Sequence, residues 1–132
     1  MKIAAGIISG FFLLALTLAH AARLSPEQIY IEKVCAKLGG QWERGFVRTS
    51  EGTYPDCETK TKVYEFDFAD KHYEGLGQAI SYARLTEKQG VLVLIVEKIE
   101  DVKFVERAQK NASFVCPRIE VMTVTTEVLH SD

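Results

Sequence analysis

The chain has no Cys-x-x-Cys pair, no cluster of histidines and no run of lysine or arginine. Its three cysteines (Cys35, Cys57, Cys116) and three histidines (His20, His72, His130) are scattered, which excludes the ligand spacing of a structural zinc site. The 16 basic residues face 18 acidic ones, a formal net charge of −2. Proteins that grip nucleic acid tightly carry a positive patch. Here only Lys60, Lys62 and Lys71 offer a local one, and a solvated edge is the simpler account of them. Internal repeats, low-complexity stretches and proline-rich linkers are also missing.

Long apolar runs are scarce too, and the longest sits at the beginning. Lys2 is followed by apolar or small residues from Ile3 to Ala19, then by Ala19-His20-Ala21. This is the pattern of a secretory signal peptide cleaved after Ala21. An uncleaved anchor is the competing reading, because no formal charge separates Lys2 from Arg23. Gly6, Ser9, Gly10 and Thr17 dilute the apolar run and favour cleavage. Residues 1–21 are therefore expected to be a signal peptide and 22–132 a single exported domain, periplasmic or secreted, with no stable membrane association once cleaved. In that compartment three cysteines predict one disulfide and one spare thiol. The sequon Asn111-Ala112-Ser113 is read as chance.

Ser25-Pro26-Glu27-Gln28 opens a helix: Ser25 as cap, Pro26 at the first helical position, Gln28 completing a capping box. Ile31, Val34, Cys35 and Leu38 recur at helical spacing, and Gly39-Gly40 stops it. Trp42–Arg48 and Thr53–Glu58 read as strands around a turn at Ser50-Glu51-Gly52, with Pro55 marking an edge or irregular position. A third strand spans about Thr61 to Phe68, with Tyr64, Phe66 and Phe68 on one face and Val63, Glu65 and Asp67 on the other. Tyr73 to Gln89 reads as a helix ended by Gly90. Leu76, Ile80 and Ala83 form its apolar strip and Glu74, Gln78 and Tyr82 its polar one. Gly75 and Gly77 inside it predict a close neighbouring backbone. Val91–Val96 has the uninterrupted apolar character of a strand covered on both faces. A shorter helix runs from an Asp101 cap to Lys110, and Ile119–Val128 is a final β-branched strand. The expected fold is α/β (α+β), a mixed sheet with helices on its faces, in the order α-β-β-β-α-β-α-β.

Acidic residues on two short strands followed by polar groups on a helix can assemble a divalent-metal site for cutting phosphodiesters. The element order and the spacing Asp56…Glu65-x-Asp67…Gln78-x-x-x-Tyr82 resemble the PD-(D/E)XK phosphodiesterase superfamily, especially its RecB-type branch. Cys57, Glu65 to Ala69, Lys71, Gly77-Gln78, Tyr82-Ala83 and Gly90 to Ile95 resemble a group of small, largely uncharacterised proteins with that restriction-endonuclease-like core. The resemblance covers roughly Ser25 to Val96. It implies that Asp56 and Glu65 bind Mg²⁺ or Mn²⁺, with the backbone carbonyl after Glu65 as a further ligand. It also implies that Gln78 and Tyr82 position the strand or the attacking water, and that the substrate is DNA or RNA. Hard oxygen donors suit Mg²⁺ better than zinc.

One departure matters. The superfamily's lysine, two residues past the second acid, is Asp67 here. An Asp cannot supply that positive charge, but it can act as base or third ligand, and Lys71 is placed to reach into the gap. The candidate catalytic set is therefore Asp56, Glu65, Asp67, Lys71, Gln78 and Tyr82. A catalytically degenerate scaffold, retained as a binding or structural module, is the alternative. A third reading makes the terminal strand a docking edge for a partner strand. Residue by residue the plainer readings are a turn aspartate at 56, a solvated strand face at 65 and 67, a hydrogen-bonded pair at 78 and 82, and a core Trp42. Cys35 on the first helix and Cys57 on the strand bearing Asp56 form the favoured disulfide, leaving Cys116 spare.

Overall fold

In the computed structural model residues 22–42 and 49–131 are described. The expected signal peptide, and the expected strand Trp42–Arg48 over residues 43–48, lie outside the described residues. Three helices and four strands follow in the order α1 (Glu27–Lys37), β1 (Cys57–Glu58), β2 (Lys62–Phe68), α2 (His72–Thr86), β3 (Gln89–Val96), α3 (Val102–Ala112) and β4 (Glu120–Thr125). Short 3-10 turns cover Ala69–Lys71, Ile99–Asp101 and Thr126–His130.

The strands form one mixed sheet in the order β1-β2-β3-β4, with β1 antiparallel to β2 and the two later pairs parallel. Parallel neighbours need a crossover, and α2 and α3 supply the two. Both pack on the sheet face that carries Leu92 and Leu94, through Leu76, Ala79, Ala83, Val105 and Ala108. The opposite face, with Tyr64, Phe66, Val91 and Val93, is covered by Ile31, Val34 and Cys35 of α1. Val91 to Ile95 are fully buried, as an uninterrupted apolar run requires of a strand sandwiched between helices.

Several sequence expectations need correction. No side chain caps α1: Pro26 holds the N-cap position, Gln28 donates to Glu32, and the capping box does not form. The Glu97 carboxylate instead gathers the incoming chain, accepting from the amides of Leu24 (3.0 Å) and Ser25 (3.4 Å) and from the Tyr30 hydroxyl (3.0 Å). The turn at residues 50–52 forms, with the Thr49 amide on the Thr53 carbonyl and Gly52 at φ 79. The strand that follows shrinks to Cys57–Glu58, because Pro55 has no N–H to donate and Asp56 bonds to β2 through its side chain.

Helix α2 ends at Thr86, where Glu87 takes the left-handed conformation at φ 56. Gly90 thus lies inside β3, where an added Cβ would sit 2.6 Å from Ile119 Cδ1 and 2.9 Å from Ala83 Cβ. A close neighbour explains Gly75 but not Gly77. A Cβ on Gly75 would come within 2.7 Å of Leu92 Cδ1 and 3.1 Å of Asp67 Cβ, whereas one on Gly77 meets nothing within 4 Å. Asp101 is buried and accepts from the amides of Glu97 and Lys98, holding the loop before α3 rather than capping the helix's own amides. The last strand stops at Thr125, and residues 126–130 turn back toward α1.

Cys35 and Cys57 form a disulfide with a Cα–Cα distance of 5.8 Å, joining α1 to β1, while Cys116 is a free, exposed thiol. No helix among the described residues is long and apolar enough to cross a membrane.

Candidate acidic site beside strand β2

Past its two-residue partner β1, strand β2 continues with its outer edge unpaired by any strand among the described residues. Backbone N–H groups left there need acceptors, and carboxylates provide them. Asp56 Oδ2 accepts from the Phe66 amide at 2.8 Å, and Asp67 Oδ1 accepts from the Phe68 amide at 2.9 Å. The peptide geometry of β2 thereby draws Asp56 toward the strand that carries Glu65 and Asp67.

Glu65 and Asp67 are not a solvated face. They project toward α2 and are only 5% and 4% exposed, the close approach of Gly75 leaving room for Asp67. Glu65 shares a hydrogen bond with Asp56, and its Oε2 is buried with no hydrogen-bond partner among the described residues. Tyr82, placed by the sequence pattern on a polar strip, is also buried, with its hydroxyl bonded to Thr53 and close to the charges of Glu65 and Asp56.

The electrostatics follow from crowding like charges in a dry place. Burial, then the charge and hydrogen bond of Asp56, then the charges of Asp67 and Glu27 push the Glu65 carboxyl far above the carboxylate range. Burial raises Asp67 to about 6, against the lowering effects of the Lys71 ammonium and the Phe68 amide. Glu27, on the first turn of α1, is raised to about 7 by burial and by the charges of Asp56 and Asp67. Burial and the two nearest carboxylates push the Tyr82 hydroxyl up to about 12. Lys71 is exposed and close enough to lower both Asp67 and Glu27.

Of the six candidate residues, Asp56, Glu65, Asp67 and Tyr82 come together, and Lys71 stands at their border. Gln78 is half-buried, makes no hydrogen bond to a described residue and is absent from the lining of the adjoining cleft. That cleft, about 390 Å³, is walled by Glu27, Gln28, Ile31, Trp42, Asp56 and Tyr82 together with residues 53–55. Glu27 and Tyr54 were not singled out as site residues in the sequence. A glutamate in a helix's first turn is ordinary dipole compensation, and nothing in its spacing distinguishes one that faces a cleft.

The donors are all oxygens, and the orphaned Glu65 Oε2 beside Asp56 is a place where a hard cation would supply missing charge. Among the described residues no three Asp, Glu, His or Cys side chains are arranged to hold one ion. A cation here would therefore rest on two carboxylates and complete its shell with backbone carbonyl and water, as Mg²⁺ commonly does. Compared with known proteins, the chain matches no family model, no curated protein and no solved structure.

Proposed function

We propose that the pocket of Asp56 and Glu65 is a divalent-cation site of the PD-(D/E)XK kind, and that the domain is an exported Mg²⁺- or Mn²⁺-dependent nuclease. The observation that carries this reading is the buried, unpartnered Oε2 of Glu65 next to Asp56. A bound cation would lower the pKa of a coordinated water and neutralise charge developing on a phosphate. Asp56 and Glu65 would hold the ion, and Tyr82 would orient groups behind it. Lys71, whose charge reaches Asp67 and Glu27, would offset part of the negative charge left by the absent motif lysine. Export is supported by the disulfide, which persists in oxidising compartments.

The test is hydrolysis of single- and double-stranded DNA and of RNA by the mature chain, with Mg²⁺, with Mn²⁺ and with chelator. Cation-dependent cleavage that disappears in Asp56→Asn and Glu65→Gln is the expected result. Cleavage that survives both substitutions overturns the assignment.

A second reading has its own observation. Asp67 occupies the lysine position, and among the described residues no three Asp, Glu, His or Cys side chains are grouped to hold an ion. Both are what a catalytically degenerate scaffold, kept as a binding or structural module, would show. Paramagnetic broadening by Mn²⁺ at amides near Asp56 separates the two: the nuclease reading requires it at millimolar metal, and the inert scaffold shows none.

A further inference from the structure

Strand β4 (Glu120–Thr125) is the last of the sheet, and β3 is its one strand neighbour among the described residues. In a strand paired on one side, every second residue turns its N–H and C=O outward, and those groups are a template for another strand. The side chains are half covered as well. Val121 packs on the core beneath α2 and α3, Met122 and Val124 on the core beneath α1, and all three stay partly exposed. Natural edges are blunted by proline, lysine or a bulge. Residues 120–125 contain neither proline nor lysine, and their register against β3 runs without a break. A groove of about 320 Å³ flanks the start of the strand on its α3 side, walled by Gln109, Ala112, Ser113 and residues 118–122.

We propose that β4 is an interface with a second copy of this chain, the two β4 strands lying antiparallel about a twofold axis so that the sheets run on as one. The axis stands perpendicular to the sheet, so the α1 sides of the copies stay together and directly opposite residues share a side. Two registers give the fullest overlap under that constraint, one centred on Met122 and one on Thr123. In both, Val121 meets a threonine of the second copy, at 123 or 125, on the side where Gln109 and Ser113 line the groove. In both, Glu120 faces residue 124 or 126 of the second copy rather than its own counterpart, and its carboxylate is held by Lys62 at 2.7 Å. The chemistry of the strand selects this occupant. From Val121 to Thr126 no residue carries a charge, so a charged peptide finds no counter-ion on those residues. An uncharged, β-branched strand of matching length suits them, and a second β4 is one. The strand stands at the other end of the sheet from Asp56 and Glu65, and the inference goes beyond the nuclease reading.

The mature protein carrying Cys116→Ser, which removes the exposed thiol, is followed by sedimentation equilibrium over a concentration series. One added strand is a small contact, so a dimer that dissociates in the micromolar range is expected. Thr123 is exposed, and Thr123→Lys should weaken the dimer more than about tenfold while leaving the urea midpoint of the monomer unchanged. Single cysteines in the same background read the register. Residues directly opposite in antiparallel strands lie about 4.5–5.5 Å apart at Cα, within reach of a disulfide. Mild oxidation should therefore link the copies through Met122→Cys or through Thr123→Cys. A protein that stays monomeric throughout the series, even one that takes up a synthetic peptide of residues 119–126, overturns the second copy as occupant. So does a dimer that Thr123→Lys leaves intact, or one that neither cysteine links. Asp56→Asn bears on the cation site alone and should leave the dimer unchanged, so failure of the nuclease reading and failure of this one are separate results.

Discussion

Replacing Glu65 by glutamine should stabilise the protein, and the size of the effect follows from where the carboxyl sits. Its ordinary pKa is 4.5, and in the fold it is pushed well above neutrality by burial and by Asp56. The folded state therefore keeps a proton that the unfolded chain releases as pH rises past 4.5. Stability is undiminished below that point and is lost progressively as pH climbs toward the folded pKa. At pH 7 the loss is fixed by the unfolded value alone, whatever the height of the folded one. At about 1.4 kcal/mol per pH unit it comes to about 3 kcal/mol. Glutamine has nearly the same shape, carries no charge at any pH, and offers an N–H to the Asp56 carboxylate. Glu65→Gln should thus gain roughly 2–3 kcal/mol at pH 7 and almost nothing at pH 4. Urea unfolding of both proteins in chelator, at pH 4, 5.5, 7 and 8.5, measures the difference. The wild type should lose stability across that range more steeply than the variant. An unchanged slope with equal or lower stability in the variant would refute the description of Glu65 as a proton-retaining buried acid.

Two other expectations concern the scaffold. Gly75→Ala forces a methyl against Leu92 and Asp67 and should cost about 1–3 kcal/mol, while Gly77→Ala, in open space on the same helix, should gain about 1 kcal/mol. Denaturant midpoints of the pair should move in opposite directions, and a shared sign would contradict the packing of α2 on β2. The disulfide closes a 22-residue separation, so Cys35→Ser should cost roughly 3 kcal/mol by the loop-entropy relation. Reduction of the wild type should match that loss, and a variant as stable as the oxidised protein would argue against the bond.

Much of the architecture was legible because it depends on periodicity. Ile31, Val34 and Cys35 marked the buried stripe of α1, and Val91 to Ile95 announced a strand closed in on both faces. The pairing of Cys35 with Cys57 followed from which elements carry them. What escaped depended on long-range contacts. Ser25 looks like a helix cap until Glu97, far along the chain, collects the neighbouring amides. Gly90 looks like a helix stop until Ile119 and Ala83 leave no room for a side chain. At the candidate site, strand alternation placed Glu65 and Asp67 on one face, but whether that face met water or α2 was decided by the size of residue 75. Gln78 shares its helix face with Tyr82 by spacing, yet only Tyr82 reaches the carboxylates.

The carboxylates that occupy the Phe66 and Phe68 amides do more than satisfy peptide groups. They stopper the stretch of β2 that runs past β1, since an incoming strand would find the Phe66 and Phe68 donors already taken. The opposite border, β4, carries no such plug among the described residues: after Glu120 it is uncharged and mostly β-branched. Strand addition through β4 would pair two copies by the same border and close there.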